Sequence, residues 1–282
     1  MGATAVDVLI SVDLEGVAGI ATRQQIGPGG RDYPAARELM TLEANAAVAG
    51  AFEGGATSVV VNDSHGPADN RLGERLDRRA DYVIGEPTQL GMMQELPSGS
   101  GVVLLVGYHA GAADPAGVLA HTSSGSGFAD VRLGGVPIGE ADLNALIAAE
   151  HGVPVGLVTG DDVVCAHAER VFPGVVTVPV KTALGRTAAR SRHPAVAREA
   201  ITAGAARAVR NALSGAVRPL SIPDELVVEA ELRPNGAADL AARVPGTERL
   251  DGRTVRFAAA SPQQALDVLE VWATLAAHYP HR

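Results

Sequence analysis

The chain has 282 residues, 46% of them apolar, and a formal net charge of −9, a composition that supplies a sizeable core and argues against disorder. The acidic balance, with no Lys/Arg cluster interleaved with aromatics, leaves no phosphate-neutralising surface for nucleic acid. One cysteine, Cys165, excludes an internal disulfide and a thiolate metal cluster, so any metal ligands must be His and carboxylate.

The opening "MGATAVDVLI" meets acid at Asp7 and Asp13, unlike a secretory leader. No apolar run reaches the roughly twenty residues of a membrane helix. The expectation is a cytoplasmic protein without a membrane partner. The first strand, "VDVLISV", runs into Asp13 and Glu15. Residues two apart in an extended chain share a face. Like charges so placed at the end of an apolar strand repel each other and resist desolvation unless a proton or cation lies between them.

A helix over about 34–53 follows, then the strands "TSVVVND", leading to His65, "ADYVIGE", and "GVVLLVGYH", ending at His109. His121 lies in the Gly/Ser-rich "GVLAHTSSGSG", Glu140 where a helix over about 140–151 begins, and Asp161 and Asp162 after the strand in "VPVGLVTGDD". This alternation, with strands apolar on both faces, predicts an α/β fold: a mainly parallel sheet flanked by helices. Beyond about residue 180 the pattern changes to an Ala/Arg-rich helix over about 195–213, the strand-like "ELVVEAEL" and "RTVRFAAA", and a closing helix over about 262–278. These predict a smaller α+β second lobe, giving a metal-binding catalytic domain over 1–182 and the lobe over 183–282.

Ligands of open parallel sheets sit beyond the carboxyl ends of the strands. Asp13, Glu15, His65 and His109 all fall on that edge. Each has an ordinary reading: a cap or surface pair for Asp13 and Glu15, a loop histidine bonded to Asp63 for His65, a satisfied core histidine for His109, a macrodipole contact for Glu140, a plain loop residue for His121. The shared rim favours a metal site, because the ordinary readings do not require it. Asp, Glu, His, His and Glu suit zinc or another divalent first-row ion, and Asp13 could bridge two of them. Asp161 and Asp162 read as helix caps, with ligation as a reserve. His151, His167, His193, His278 and His281 read as structural. Nucleotide loops, a nucleophile elbow and His-Glu-x-x-His are all missing from the sequence.

In order, "SVDLEGVAGI", "RDY" with "LMTLEAN", "VVNDSHG", "VGYHAG", "GVLAH" and "VPIGEADLNA" resemble the DppA-type D-aminopeptidases, binuclear zinc exopeptidases. The likeness continues through "VPVKTALGRTAA" to "VPGTERLDGRTVRF". It implies two zinc ions per subunit held by Asp13 (shared), Glu15, His65, His109 and Glu140, with His121 catalytic. It implies a hydroxide between the ions that attacks the N-terminal peptide bond of a short peptide, and a ring-shaped homo-oligomer, a decamer of two pentamers. The stretches "ATRQQIGPGG", "AGAADPAGVLAH" and "TSSGSGFADVRLGG" depart from the family pattern and are expected to shape the substrate pocket. The alternatives are a binuclear hydrolase acting on another amide or a phosphoester, for which Lys181 and Arg186 are the available cations, and a zinc-stabilised peptide-binding scaffold.

Overall fold

The computed structural model describes residues 6–279 except 71, 72, 98 and 100; His281 lies outside them. In chain order the elements are β1 (Asp7–Val12), α1 (Tyr33–Gly54), β2 (Ser58–Asp63), β3 (Asp81–Val83), β4 (Val102–Tyr108), β5 (Phe128–Leu133), β6 (Val136–Pro137), α2 (Glu140–Glu150), β7 (Val155–Asp161), α3 (Asp162–Val171), β8 (Val176–Gly185), β9 (Ala188–Ser191), α4 (Pro194–Leu213), β10 (Leu226–Leu232), α5 (Asn235–Ala241), β11 (Thr247–Arg249), β12 (Thr254–Ala259) and α6 (Pro262–Ala277).

Seven strands form one sheet in the order β3-β2-β1-β4-β7-β8-β9, parallel except for the antiparallel edge pair β8 and β9. The unbroken apolar run of β4 follows from two-sided burial. Val102, Leu104 and Val106 enter one core with α1 and α4, while Val103 and Leu105 enter another with α2 and α3. Helix α1 lies close along α4, where a Cβ on Gly50 would stand 2.2 Å from the Thr202 carbonyl oxygen. Strand order reverses between β1 and β4, and such a switch point opens a crevice at the carboxyl ends of the two strands. Asp13 and His109 immediately follow those ends.

The second sheet, β11-β12-β10-β5-β6, is antiparallel throughout. Phe128, Val131, Val228 and Ala230 share a core with α2 and with Trp272 of α6. The expected mixed architecture is present, but its lobes are not consecutive in the chain. The 182/183 boundary falls inside β8, while β9 and α4 belong with the first sheet. Conversely, β5 and β6 leave the N-terminal part to pair with β10. The stretch "TSSGSGFADVRLGG", expected as pocket lining, is therefore nearly half strand: from Ala129 to Leu133 β5 alternates apolar with polar residues, and it hydrogen-bonds to a partner about a hundred residues on.

Candidate metal centre

Backbone contacts at the switch point bring the two strand ends together. Asp13 N–H donates to the Val106 carbonyl at 2.8 Å, and Gly16 N–H to that of Gly107 at 2.7 Å. Lys181, buried, closes the loop after β1 by donating from Nζ to the carbonyls of Glu15, Val17 (3.0 Å) and Ile20 (2.6 Å). Below the site, Tyr108 Oη sits 2.6 Å from Ser11 Oγ and accepts from Asn144 Nδ2 at 3.0 Å.

The structure brings all six sequence-selected residues into one cluster of two triads, Asp13, Glu15 and His65, and His109, His121 and Glu140. Asp13 joins them: Oδ1 is 3.1 Å from His65 Nδ1, and Oδ2 is 3.3 Å from His109 Nε2. Glu15 Oε2 lies 2.8 Å from His65 Nδ1, Glu140 Oε2 3.4 Å from His109 Nε2, and Glu140 Oε1 3.7 Å from His121 Nε2. His109 and His121 stack with ring centroids 4.1 Å apart.

The outward nitrogen of each imidazole identifies its tautomer. His65 Nε2–H donates to the Ile26 carbonyl (2.8 Å), His109 Nδ1–H to that of Ala110 (2.9 Å), and His121 Nδ1–H to that of Leu119 (2.9 Å). A carbonyl only accepts, so the outer nitrogen carries the proton and the inner one faces the carboxylates. Metal-binding histidines are held this way. Leu119 and Ser123, with φ of 53° and 57°, bracket His121 in the left-handed region. That strain is held by Leu119 N–H donating to the Arg186 carbonyl at 2.7 Å and Ser123 N–H to Glu140 Oε1 at 2.8 Å.

Asp13 Oδ2, Glu15 Oε2 and His109 Nε2 are buried without a hydrogen-bond partner among the described residues. Burial and the Glu15 charge push Asp13 up to about 7. Burial opposes the charge on Glu15 and His109 too, but His65 holds Glu15 well below the carboxylate range, and Glu140 and Asp13 lift His109 to about 10. Burial and the adjacent His109 charge lower His121. The cluster thus demands positive charge at its centre. Hard and borderline donors with unspent lone pairs fit divalent zinc, which would displace the imidazole protons.

The ordinary readings fare differently. Asp63 accepts from Asn70 N–H at 2.7 Å and Asn70 Nδ2 at 3.0 Å and takes the backbone N–H of His65 at 3.4 Å, while the His65 ring turns to Asp13 and Glu15. Asp161 is a cap, accepting from Val163 and Val164 N–H, and its other oxygen takes Val118 N–H at 2.7 Å. Asp162 accepts from Ala183 N–H. His193 caps α4, and His167 pairs with Asp142 at 2.7 Å. Sequence reasoning missed the orienting carbonyls and the work of Lys181, since backbone acceptors carry no residue code. A cleft of about 250 Å³, lined in part by His109, Ala110, Ile138 and Gly139, opens beside the cluster.

A family model described as D-aminopeptidase matches residues 6–271. The chain belongs to the D-aminopeptidase family. It is similar to the D-aminopeptidase of Bacillus subtilis (strain 168), 37% identical over 264 residues that cover 93% of each chain. It is also similar to the solved structure of the Zn-dependent D-aminopeptidase DppA from Bacillus subtilis, a self-compartmentalizing protease: TM-score 0.92, 35% identity, 98% of this chain and 100% of that one. The family resemblance seen in the ordered motifs is therefore real, and membership makes the chain a metal-dependent aminopeptidase, a hydrolase.

Proposed function

We propose that the cluster holds two zinc ions and that the enzyme removes the N-terminal residue, preferentially a D-residue, from short peptides. The observation that carries this reading is the trio of buried ligand atoms on Asp13, Glu15 and His109 that crowd together without a hydrogen bond between two carboxylate-imidazole triads. Asp13, Glu15 and His65 would hold one ion, and Asp13, His109 and Glu140 the other. Bound there, the pair would supply a water acidified toward neutrality and a Lewis acid for the scissile carbonyl.

The protein's own part is orientation and proton transfer. With Nδ1–H committed to the Leu119 carbonyl, His121 has Nε2 as its exchangeable site, suited to passing a proton to the leaving amine. Lys181 is spent on loop carbonyls, which removes one of the two cations a phosphoesterase would need.

The relative described as self-compartmentalizing supports assembly of this chain as a ring-shaped homo-oligomer, a decamer, and exposed Leu184 and Val136 offer apolar contact surface. No helix among the described residues is long and apolar enough to cross a membrane. A lone buried thiol at Cys165 is in keeping with a cytoplasmic location.

The test is hydrolysis of matched L- and D-dipeptides and N-terminal p-nitroanilides by metal-replete and chelated protein, with His121→Ala alongside. Cleavage only with metal, a D-preference, and a loss of about 10²- to 10⁴-fold in His121→Ala with zinc retained are expected. Two bound equivalents of zinc with no peptide cleaved would refute the reading.

A further inference from the structure

Of the ordered sequence motifs, all but one deliver a residue to the cluster: "SVDLEGVAGI" gives Asp13 and Glu15, "VVNDSHG" His65, "VGYHAG" His109, "GVLAH" His121 and "VPIGEADLNA" Glu140. The exception, "RDY" with "LMTLEAN", lies at the start of α1 and within it. Its Glu43 is only 1% exposed. Ala18 N–H donates to Glu43 Oε1 at 2.9 Å, while Oε2 has no hydrogen-bond partner among the described residues. Burial pushes this carboxyl up to about 7, against the pull of Ala18 N–H, Lys181 and Arg198. A carboxyl buried on an Ala-rich helix destabilises it where an apolar side chain would pack freely, so its presence points to a task outside the helix.

The contact falls on the loop that carries Glu15. There the N–H groups of Gly16, Val17 and Ile20 go to main-chain carbonyls and that of Gly19 to Ser191 Oγ, so Ala18 N–H alone depends on an ionisable side chain. The same peptide unit is held at its other end, where the Val17 carbonyl accepts from Lys181 Nζ at 3.0 Å. Carbonyl and N–H point opposite ways across this trans peptide, so Glu43 of α1 and Lys181 of β8 grip it from opposite sides. Lys181 also holds the carbonyl of Glu15 itself. Further along, the Ile26 carbonyl fixes His65 Nε2. The outer nitrogens of His109 and His121 are fixed instead by Ala110 and Leu119, and Glu140 is carried by α2, all outside this loop.

We propose that Glu43 is a positioning residue for the triad of Asp13, Glu15 and His65: with Lys181 it clamps the Val17–Ala18 peptide and so sets where Glu15 stands. The step rests on the two-zinc reading given above. It divides the centre into halves with separate supports. Loss of the clamp weakens the ion held by Glu15 and His65 and spares the ion held by His109 and Glu140.

The test titrates metal-free, full-length protein with zinc against a chromophoric chelator, and adds kcat, KM and melting temperature, for the parent, Glu43→Leu and Glu43→Gln. In Glu43→Leu, which removes the acceptor, one zinc equivalent should weaken by about 10- to 100-fold and kcat should fall by a similar factor, with the other equivalent and KM within about threefold of the parent. Glu43→Gln keeps an oxygen for Ala18 N–H and should recover most of both losses. Added to Glu15→Gln, Glu43→Leu should weaken the same equivalent little further, because it acts through Glu15; added to Glu140→Gln, its effect should remain whole. A lower melting point with both equivalents unchanged, or equal weakening of both, would make Glu43 a fold-stabilising residue only and overturn the proposal. So would Glu43→Gln as damaged as Glu43→Leu. If Glu43→Leu does not fold, Glu43→Asp makes the same comparison by withdrawing the acceptor one methylene, and two unweakened equivalents there would overturn the proposal. Fewer than two zinc equivalents in the parent would overturn the two-zinc reading and this step with it. Two equivalents without peptide cleavage would overturn the peptidase reading alone, and the zinc titrations would still decide the role of Glu43.

Discussion

Gly16→Ala tests whether the centre depends on backbone contact between the two strand ends. A Cβ at Gly16 would stand 2.0 Å from the Tyr108 carbonyl oxygen and 2.4 Å from the Gly107 carbonyl carbon, whereas ordinary contact begins at 3.4 Å. Both obstacles are backbone, so no side chain can swing aside, and the loop must retreat by about 1.4 Å. That retreat breaks the 2.7 Å hydrogen bond from Gly16 N–H to the Gly107 carbonyl and widens the 3.3 Å approach of Asp13 Oδ2 to His109 Nε2. A misplacement of about 1 Å costs roughly a hundredfold in rate, about 2.7 kcal/mol in the barrier. Overpacking should remove a further ~1–3 kcal/mol of fold stability. The assays are kcat/KM on a cleavable D-aminoacyl p-nitroanilide, zinc per chain by elemental analysis, and thermal melting. Full zinc content with activity within threefold of the parent would refute the idea that this contact sets the geometry.

Zinc should stabilise the fold through linkage by ~4 kcal/mol per ion at a thousandfold excess over Kd. For 282 residues that is about 7 °C per ion, read by melting with and without chelator. Lys181→Met strands the carbonyls of Glu15, Val17 and Ile20, each at a cost of ~1–3 kcal/mol; a melting point lowered by several degrees and reduced zinc retention are expected, and unchanged values would contradict the assigned role. His167 is raised above its ordinary value by its hydrogen bond to Asp142. Its contribution to stability is therefore full below about pH 6.5 and fades as pH rises through the folded-state value. With the side chain about a third exposed, His167→Gln should change the melting profile between pH 6 and 8 by less than ~1 kcal/mol, and a larger slope in the variant would reverse the argument.

Asp13 and Glu15 were legible because strand alternation and the cost of crowded charge are both local, and His65 and His109 because parallel strands end on one rim. Glu140 opens α2 as the helix pattern predicted, and its side chain turns to the imidazoles. His121 was legible only through family resemblance, since its position depends on a loop held by Arg186, Ala110 and Glu140 from three other segments. The pairing of β5 with β10 escaped because long-range antiparallel partners leave no spacing in the sequence and the flanking Gly and Ser read as loop. Lys181 could be noticed as a cation but not assigned, because its partners are main-chain oxygens.

The crossing of β5 and β6 into the second sheet has a consequence for how such a gene can change. A break after residue 182 would strand Phe128, Val131 and Leu133, all buried against β10 and its neighbours, on an unpaired sticky edge. Exchange of the last third of the chain with a distant homologue must therefore preserve a matching seam, and recombination breakpoints there should be scarce. Diversity in this architecture is expected to accumulate by point change in its connecting segments, with the lobes inherited together.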